Sequence, residues 1–446
     1  MEALNKMMKA LIAACLVAVM TSACGGGSQN AADTSMNGAQ EKKADAPEPA
    51  KSAKPAEPVT LTIGVPAYAE PEYEEYLVKA VKAHLPNVTL EKVTIDGSNQ
   101  YDKTILAKGL KPDMIISPDD ALHIIQETKM AVDLDPLIKQ YKLDLKQFDP
   151  VVIDRIRNGD DKPDITAIPY IQNLPGLYYN KDIFDKFGVP YPHDKMTWSD
   201  LTELAVKLTR MEGGVQYRGL EPDAIDRPAS ELSLSTVDPK TNRASVNTEQ
   251  WNRVFTLMKS FYEIPGNSKL QWLNDALVAF RKDKTLAMYP GPGYSTFLDI
   301  PDLNWDMTTY PVFKEAPDRS LGLASRMVVI TSFCENKDAA FQVARLMVSE
   351  ETQKKLSSNG LGPVVTSDSV RKVFGSNVAS LKGKNLQSAF LLKPAPKPMD
   401  TVYTSDANRA LRNKFKYMIA HNTDVNTTLR ELDETINQAI DAAQGK

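Results

Sequence analysis

Residues 168–184 read Ile168-Pro-Tyr-Ile-Gln-Asn-Leu-Pro-Gly-Leu-Tyr-Tyr-Asn-Lys-Asp-Ile-Phe184, and the fold turns on how this stretch is parsed. An apolar strand leads into Asn180-Lys181-Asp182, which precedes Ile183 and Phe184, so a helix starts there. Asp182 suits that start, because a carboxylate is favoured at the positive end of the helix dipole. Tyr178 and Tyr179 are neighbours in an alternating strand and must point to opposite faces of a sheet. Phe187-Gly188-Val189-Pro190 follows, and then Met196-Thr197-Trp198. Thr197, backed by Asp200, can cap a helix whose Leu201, Leu204, Ala205 and Leu208 share one face. Trp198 sits just inside that helix and reads as a packing anchor.

Upstream, residues 59–65 are β-branched and alternating, which predicts a strand. Tyr73, Tyr76, Leu77, Ala80 and Val81 then recur at helical spacing. A second strand is expected over 88–95, a helix over 101–108, and a buried strand over 113–116. That βαβαβ order implies a parallel sheet with helical crossovers. Downstream, a short strand at 243–246 precedes a helix starting at Asn247, and a helix ending at Phe280 feeds a strand over 285–289. Residues 338–357 are again helical. Thr428 and Glu431 suit a capping box for the last helix, with Leu429, Leu432, Ile436 and Ile440 on its buried face. No repeat has a solenoid period.

The N-terminus has a different composition. Lys6 and Lys9 precede an apolar run from Ala10 to Met20, too short to span ~30 Å of hydrocarbon but suited to a secretory signal over 1–23. Thr21-Ser22-Ala23-Cys24 resembles the lipobox of bacterial lipoproteins, with Thr21 where that motif usually carries Leu. The resemblance implies that Cys24 is lipidated and becomes the mature N-terminus; the alternative is an ordinary signal peptide with an incidental cysteine. After Cys24, residues 25–58 contain no Val, Ile, Leu or aromatic residue, so 24–58 reads as a lipidated cysteine and a disordered tether. With Cys15 removed and Cys24 acylated, only Cys334 remains, which excludes an intramolecular disulfide; it reads as a small buried hydrophobe. The rest of the chain, roughly 390 residues, exceeds what one core serves, so two lobes are expected. A net charge of -4, without a basic stripe, excludes a nucleic-acid partner. No second apolar segment is long enough to cross a membrane.

Four separated stretches resemble extracellular solute-binding protein family 1, the group that includes maltose-binding proteins. The first is Ile168 to Phe184 with the Phe187-Gly188-Val189-Pro190 and Met196-Thr197-Trp198 that follow it, similar to the family's crossover between lobes. The second is Phe280 to Gly291, with Lys284 where the family usually has Gly. The third runs from Ala339-Ala340-Phe341 through Ser349-Glu350-Glu351-Thr352-Gln353 to Gly360-Leu361-Gly362-Pro363. Pro112-Asp113-Met114-Ile115 is the fourth. Their order and spacing fit from Val59 to the C-terminus. The resemblance implies an α/β, two-lobed periplasmic-binding-protein-like fold of type II, with a ligand cleft between lobes joined by three crossovers. Lobe one would take 59–171 and 312–364, and lobe two 172–311 and 365–446. It further implies a monomeric, non-enzymatic subunit of an ABC importer that captures a small solute, a sugar foremost. Such a subunit hands the solute to permease subunits while a lipid anchor holds it at the outer face of the cytoplasmic membrane.

If so, loops at strand ends should face the cleft. They carry Tyr68 and Glu70, then Asp119 and Asp120, then Tyr170 and Asn173, then Tyr289 and Tyr294. Asp119 either accepts hydrogen bonds from solute hydroxyls or caps the segment from Ala121. Asn173 is either a cleft contact or a turn residue. Gly293 lies where maltose-binding relatives place a stacking Trp, and Tyr294 beside it either replaces that platform or packs. Arg326 either reaches the cleft or lies on the surface, and Asp223 is a candidate from the far lobe. An exported hydrolase would need a nucleophile elbow or a metal motif. There is no G-x-S-x-G and no H-E-x-x-H, and His84, His123, His193 and His421 are too dispersed for a local metal pair. Neither catalytic residues, metal nor cofactor is therefore expected. A binding protein serving signalling or adhesion remains the alternative within the fold.

Overall fold

The computed structural model describes residues 57–95, 105, 107–158, 164–267, 273–293, 300, 302–322, 324–396 and 398–445. The expected signal segment, Cys24, nearly all of the expected tether, most of the helix expected at 101–108, and Tyr294 lie outside them.

Ten strands build two main sheets. They are β1 (Val59–Pro66), β2 (Val88–Ile95), β3 (Met114–Pro118), β4 (Ile168–Gln172) and β5 (Gly176–Asn180). After them come β6 (Arg210–Glu212), β7 (Val215–Leu220), β8 (Leu286–Gly291), β9 (Trp305–Thr309) and β10 (Ser325–Ile330). The first sheet runs β2-β1-β3-β10-β4, with β1 parallel to β2 and β3, and β10 antiparallel to β3 and β4. Helical turns between β1 and β2 bury Tyr73, Tyr76, Leu77 and Val81 on it, as their spacing predicts. The second sheet runs β9-β5-β8-β7-β6. Met114, Ile115 and Ile116 are all buried, as expected for a strand covered on both faces.

The stretch that decides the fold behaves as read. Tyr178 and Tyr179 enter two different cores on opposite faces of the second sheet. Asn180 caps the helix Lys181–Phe187 by accepting from Asp182 N at 3.0 Å, and Gly188, at φ +65°, ends it in the left-handed conformation that glycine adopts without strain. Thr197 and Asp200 form a reciprocal capping box for the helix Trp198–Leu208. Trp198 is buried, and its Nε1 donates to Glu231 Oε1 at 3.0 Å. Cys334 is buried too, which pushes its thiol up to about 11.

The strand expected over 243–246 is only Arg243–Ala244, and the helices differ from expectation in three places. The helix expected from Asn247 is Glu249–Glu263, capped by Thr248. Residues 338–357 are two helices, Lys337–Met347 and Glu350–Ser358, because Ser349 caps the second. The last helix, Val425–Ala443, starts at Asp424, whose carboxylate accepts from Thr427 N. Thr428 is therefore interior and bonds back to Asp424 O at 2.8 Å, while Glu431 pairs with Lys414 instead of completing a cap.

The chain crosses between the sheets three times. Residues 173–175 join β4 to β5. The return falls after Leu321, later than the expected 312, because Tyr310, Phe313, Ala316 and Leu321 pack in the second core, the first two against Trp198. The third falls after Val370 rather than after the expected 364: Val364, Val365 and Val370 stay in the first core, and Phe374, Leu381 and Leu386 pack on the second sheet. Hydrogen bonds stitch the first two crossovers to each other and to the first-lobe loop at Gly362 and Pro363. Gln172 N donates to Gly362 O at 2.9 Å and Asn173 N to Ala324 O at 2.8 Å, while Gln172 Nε2 donates to Pro363 O at 2.7 Å.

Candidate functional site

Between the lobes lies a cavity of about 440 Å³. Its first-lobe wall forms where β3 ends and β10 begins, with Asp119, Asp120, His123 and Arg326, and continues to Asn173 on the first crossover. The second-lobe wall combines Asp226, Arg227 and Ser230, from the helix Asp226–Glu231, with Trp251. The helix Thr404–His421 adds Asn408 and Arg412, and Asp400 lies just before it. Strand ends supply the first wall, as open α/β sheets do for ligands.

Much of this polar lining is fixed in place by its own partners. Arg155, from the helix Pro150–Ile156, donates from Nε to Asp119 Oδ2 at 3.2 Å and from Nη1 to Pro398 O at 3.4 Å, and its Nη2 pairs with Asp400. Asp119 Oδ1 accepts from Ser325 N at 3.0 Å. The three side chains are only 5–7% exposed. Burial works against the Arg155 charge, but Asp400 and Asp119 outweigh it and hold the guanidinium protonated. Arg155 packs with the first core and Asp400 precedes a helix of the second, so this cluster ties the lobes together.

Across the cavity, Arg227 Nη1 donates to Asp223 Oδ1 at 2.7 Å, and Tyr310 donates to the other Asp223 oxygen at 3.3 Å. The Asp223 carboxylate raises the Arg227 pKa, keeping it charged. Arg412 grips Asp226 in a bidentate pair with both distances at 2.6 Å. Burial pushes the His123 imidazole down, against the pull of Asp400 and Glu127, so the ring is neutral near pH 7.

Of the residues singled out from sequence, Asp119, Asp120, Asn173 and Arg326 line this cavity together. Asp119 opens the turn Asp119–Ala121, just after Pro118. Arg326 pairs with Glu72 and lies 5.3 Å from the Tyr68 ring centroid, which places Tyr68 beside the wall and not on it. Glu70 instead pairs with Lys92 on the outer surface. Tyr170 is wholly buried and donates to Glu72 at 3.4 Å. Asp223 sits behind Arg227, and Tyr289 is buried against Phe280. Sequence reasoning missed Arg155, Arg227, Asp400 and Arg412. The i,i+4 spacing of Asp223 and Arg227 is a local signal that could have found one of them. Arg155–Asp400 and Arg412–Asp226 join residues 245 and 186 positions apart, which leaves no local trace.

Two α/β lobes joined by three crossovers around a polar cavity define a type II periplasmic binding fold. The chain belongs to the family of bacterial extracellular solute-binding proteins, which matches residues 34–354. A diacetylchitobiose-binding protein of Streptomyces coelicolor is 21% identical over 342 residues, covering 71% of this chain and 72% of that protein. The solved structure of a sugar transporter from Rhizobium etli, in an open conformation, has a TM-score of 0.71 at 20% identity, covering 85% of this chain and 99% of the other. The sugar-binding protein MalE of Xanthomonas citri has a TM-score of 0.65 at 18% identity, covering 86% and 98%. Among the described residues no helix is long and apolar enough to cross a membrane.

Proposed function

We propose that this chain is the solute-capturing subunit of an ABC importer and that its solute is a sugar or oligosaccharide, bound by hinge closure without chemical change. One observation carries this reading: polar side chains from both lobes meet around a cavity of about 440 Å³. A solute seated there touches both lobes, so its binding energy favours their closed arrangement. Carboxylate, guanidinium, amide and hydroxyl groups alternate along the walls, the mixture that a polyhydroxylated ligand requires. Diacetylchitobiose, named for one relative, is such a ligand. Asp120, Asn173, Arg227 and Arg326 are the proposed direct contacts, with Asp119 holding the wall in position. We further propose that the protein works as a monomer anchored through a lipid on Cys24; Cys24→Ala should then release it into the soluble fraction with its fold intact.

A thermal-shift screen of neutral saccharides tests the central reading. A true ligand at ~100 times its dissociation constant adds roughly 2.7 kcal/mol of stability. If no saccharide moves the melting temperature while amino acids, peptides or metal ions do, the sugar reading is wrong.

A further inference from the structure

A second, smaller cavity of about 180 Å³ shares Asn173, Arg227, Ser230, Gly322 and Ala324 with the walls of the first. Its far side is formed by Arg371 and by apolar Leu321, Phe390 and Leu392. Arg371 is half-buried, and its Nε is fully buried with no hydrogen-bond partner. Among the described residues its guanidinium takes part in no ion pair and stands 5.3 Å from the Phe390 ring centroid, while Asp149 and Asp368 act on its charge only through space. A ring face attracts the cation but cannot accept the N–H groups that lie in the guanidinium plane. Arg227 also lines this cavity, and among the described residues its hydrogen bond runs from Nη1 to Asp223. Asp149 is the one carboxylate on the lining, and it caps its own helix by accepting from Val151 N at 3.0 Å. Two arginines with donors to spare thus meet in a small, partly apolar space. Such a charge is costly to hold until an anion compensates it, and low surrounding polarity then strengthens the bond.

We propose that this cavity is the anion-binding compartment of the solute site, and that the solute is a saccharide carrying a carboxylate, seated between Arg227 and Arg371. This rests on the saccharide reading above. The shared wall lets one molecule place neutral rings in the larger cavity and its acid group in the smaller. A planar carboxylate matches the paired N–H donors of a guanidinium, which a neutral hydroxymethyl group does not.

The test uses uronate disaccharides, each paired with its own methyl ester, measured by calorimetry on wild-type protein and on Arg371→Met. The acid should bind wild type at least ~10-fold more tightly than its ester, the scale of one charge-assisted hydrogen bond. Arg371→Met should erase that preference with little change in the melting temperature of the unbound protein, because among the described residues it loses only the Phe390 ring contact and no ion pair. Arg371→Lys, which keeps the charge but not the planar donor pair, should fall between. If neutral saccharides bind and the acids bind no better, or if the preference survives Arg371→Met, the inference fails while the saccharide reading stands. If neither acids nor neutral saccharides bind, the saccharide reading fails and takes this inference with it.

Discussion

Two arginines beside the interlobe cavities have opposite circumstances. Arg155 is almost completely buried and has every reason to be costly, yet two carboxylates and a carbonyl surround it. Arg371 is less buried and stands against an aromatic ring, with no ion pair among the described residues and Asp149 and Asp368 acting only through space. Burial alone therefore does not mark a residue as poised for a ligand. A cation whose compensation comes from both lobes holds the protein together, whereas one left uncompensated beside a cavity is available to something else. Glu231 is a third case: fully buried, taking one indole N–H, and without a cation in contact among the described residues.

The largest expected effect breaks the compensated case. Arg155→Met leaves Asp119 and Asp400 buried beside each other without their cation, which should cost about 3–5 kcal/mol in urea denaturation. An unchanged denaturation midpoint would mean that the cluster is ornamental. Glu231→Gln sharpens the contrast from the other side. Burial holds the Glu231 carboxyl well above its ordinary value of 4.5, only partly offset by Trp198 and Phe313. A carboxyl whose folded pKa is raised contributes stability that is complete below the unfolded value and lost as pH climbs through the folded one. Removing the titration should stabilise the protein by about 1–3 kcal/mol at pH 7, with the gain shrinking towards zero near pH 4.5. A gain that is the same at both pH values would show that Glu231 does not titrate this way. The smallest effect belongs to Asn173→Ala, at the wall that both cavities share. Its backbone holds the crossover, so stability should stay within about 0.5 kcal/mol of wild type, while solute affinity falls roughly three- to tenfold. Full affinity in this variant would remove the crossover from the list of contacts.

What could be read from sequence was whatever is encoded locally. The capping box at Thr197, the cap at Asn180 and the opposed faces of Tyr178 and Tyr179 all follow from spacing within a few residues. The crossover positions did not, because aromatic packing of Tyr310 and Phe313 on Trp198 decides where the chain leaves the second lobe. The candidate site divides in the same way. Loops after strand ends could be identified, and Asp119, Asp120 and Asn173 from them lie on the cavity wall, as does Arg326, for which a surface position stood as the alternative. Ion pairs such as Arg155–Asp400 depend on residues far apart in the chain, and Tyr170 and Tyr289 looked like cleft residues only because burial cannot be read at a strand end.

The stitched crossovers also govern how the molecule can move. A β-carbon added at Gly362 would lie 2.1 Å from the Gln172 carbonyl oxygen, so these two backbones touch with no side chain between them. With Asn173 bonded to Ala324 alongside, the first two linkers and the first-lobe loop at Gly362 form one continuous seam and not separate threads. A seam of this kind lets the lobes swing about its line but resists one lobe sliding past the other. Whatever solute occupies the cleft, the closed molecule should therefore meet its membrane partner in a single orientation, with cargo size altering only how far the swing goes.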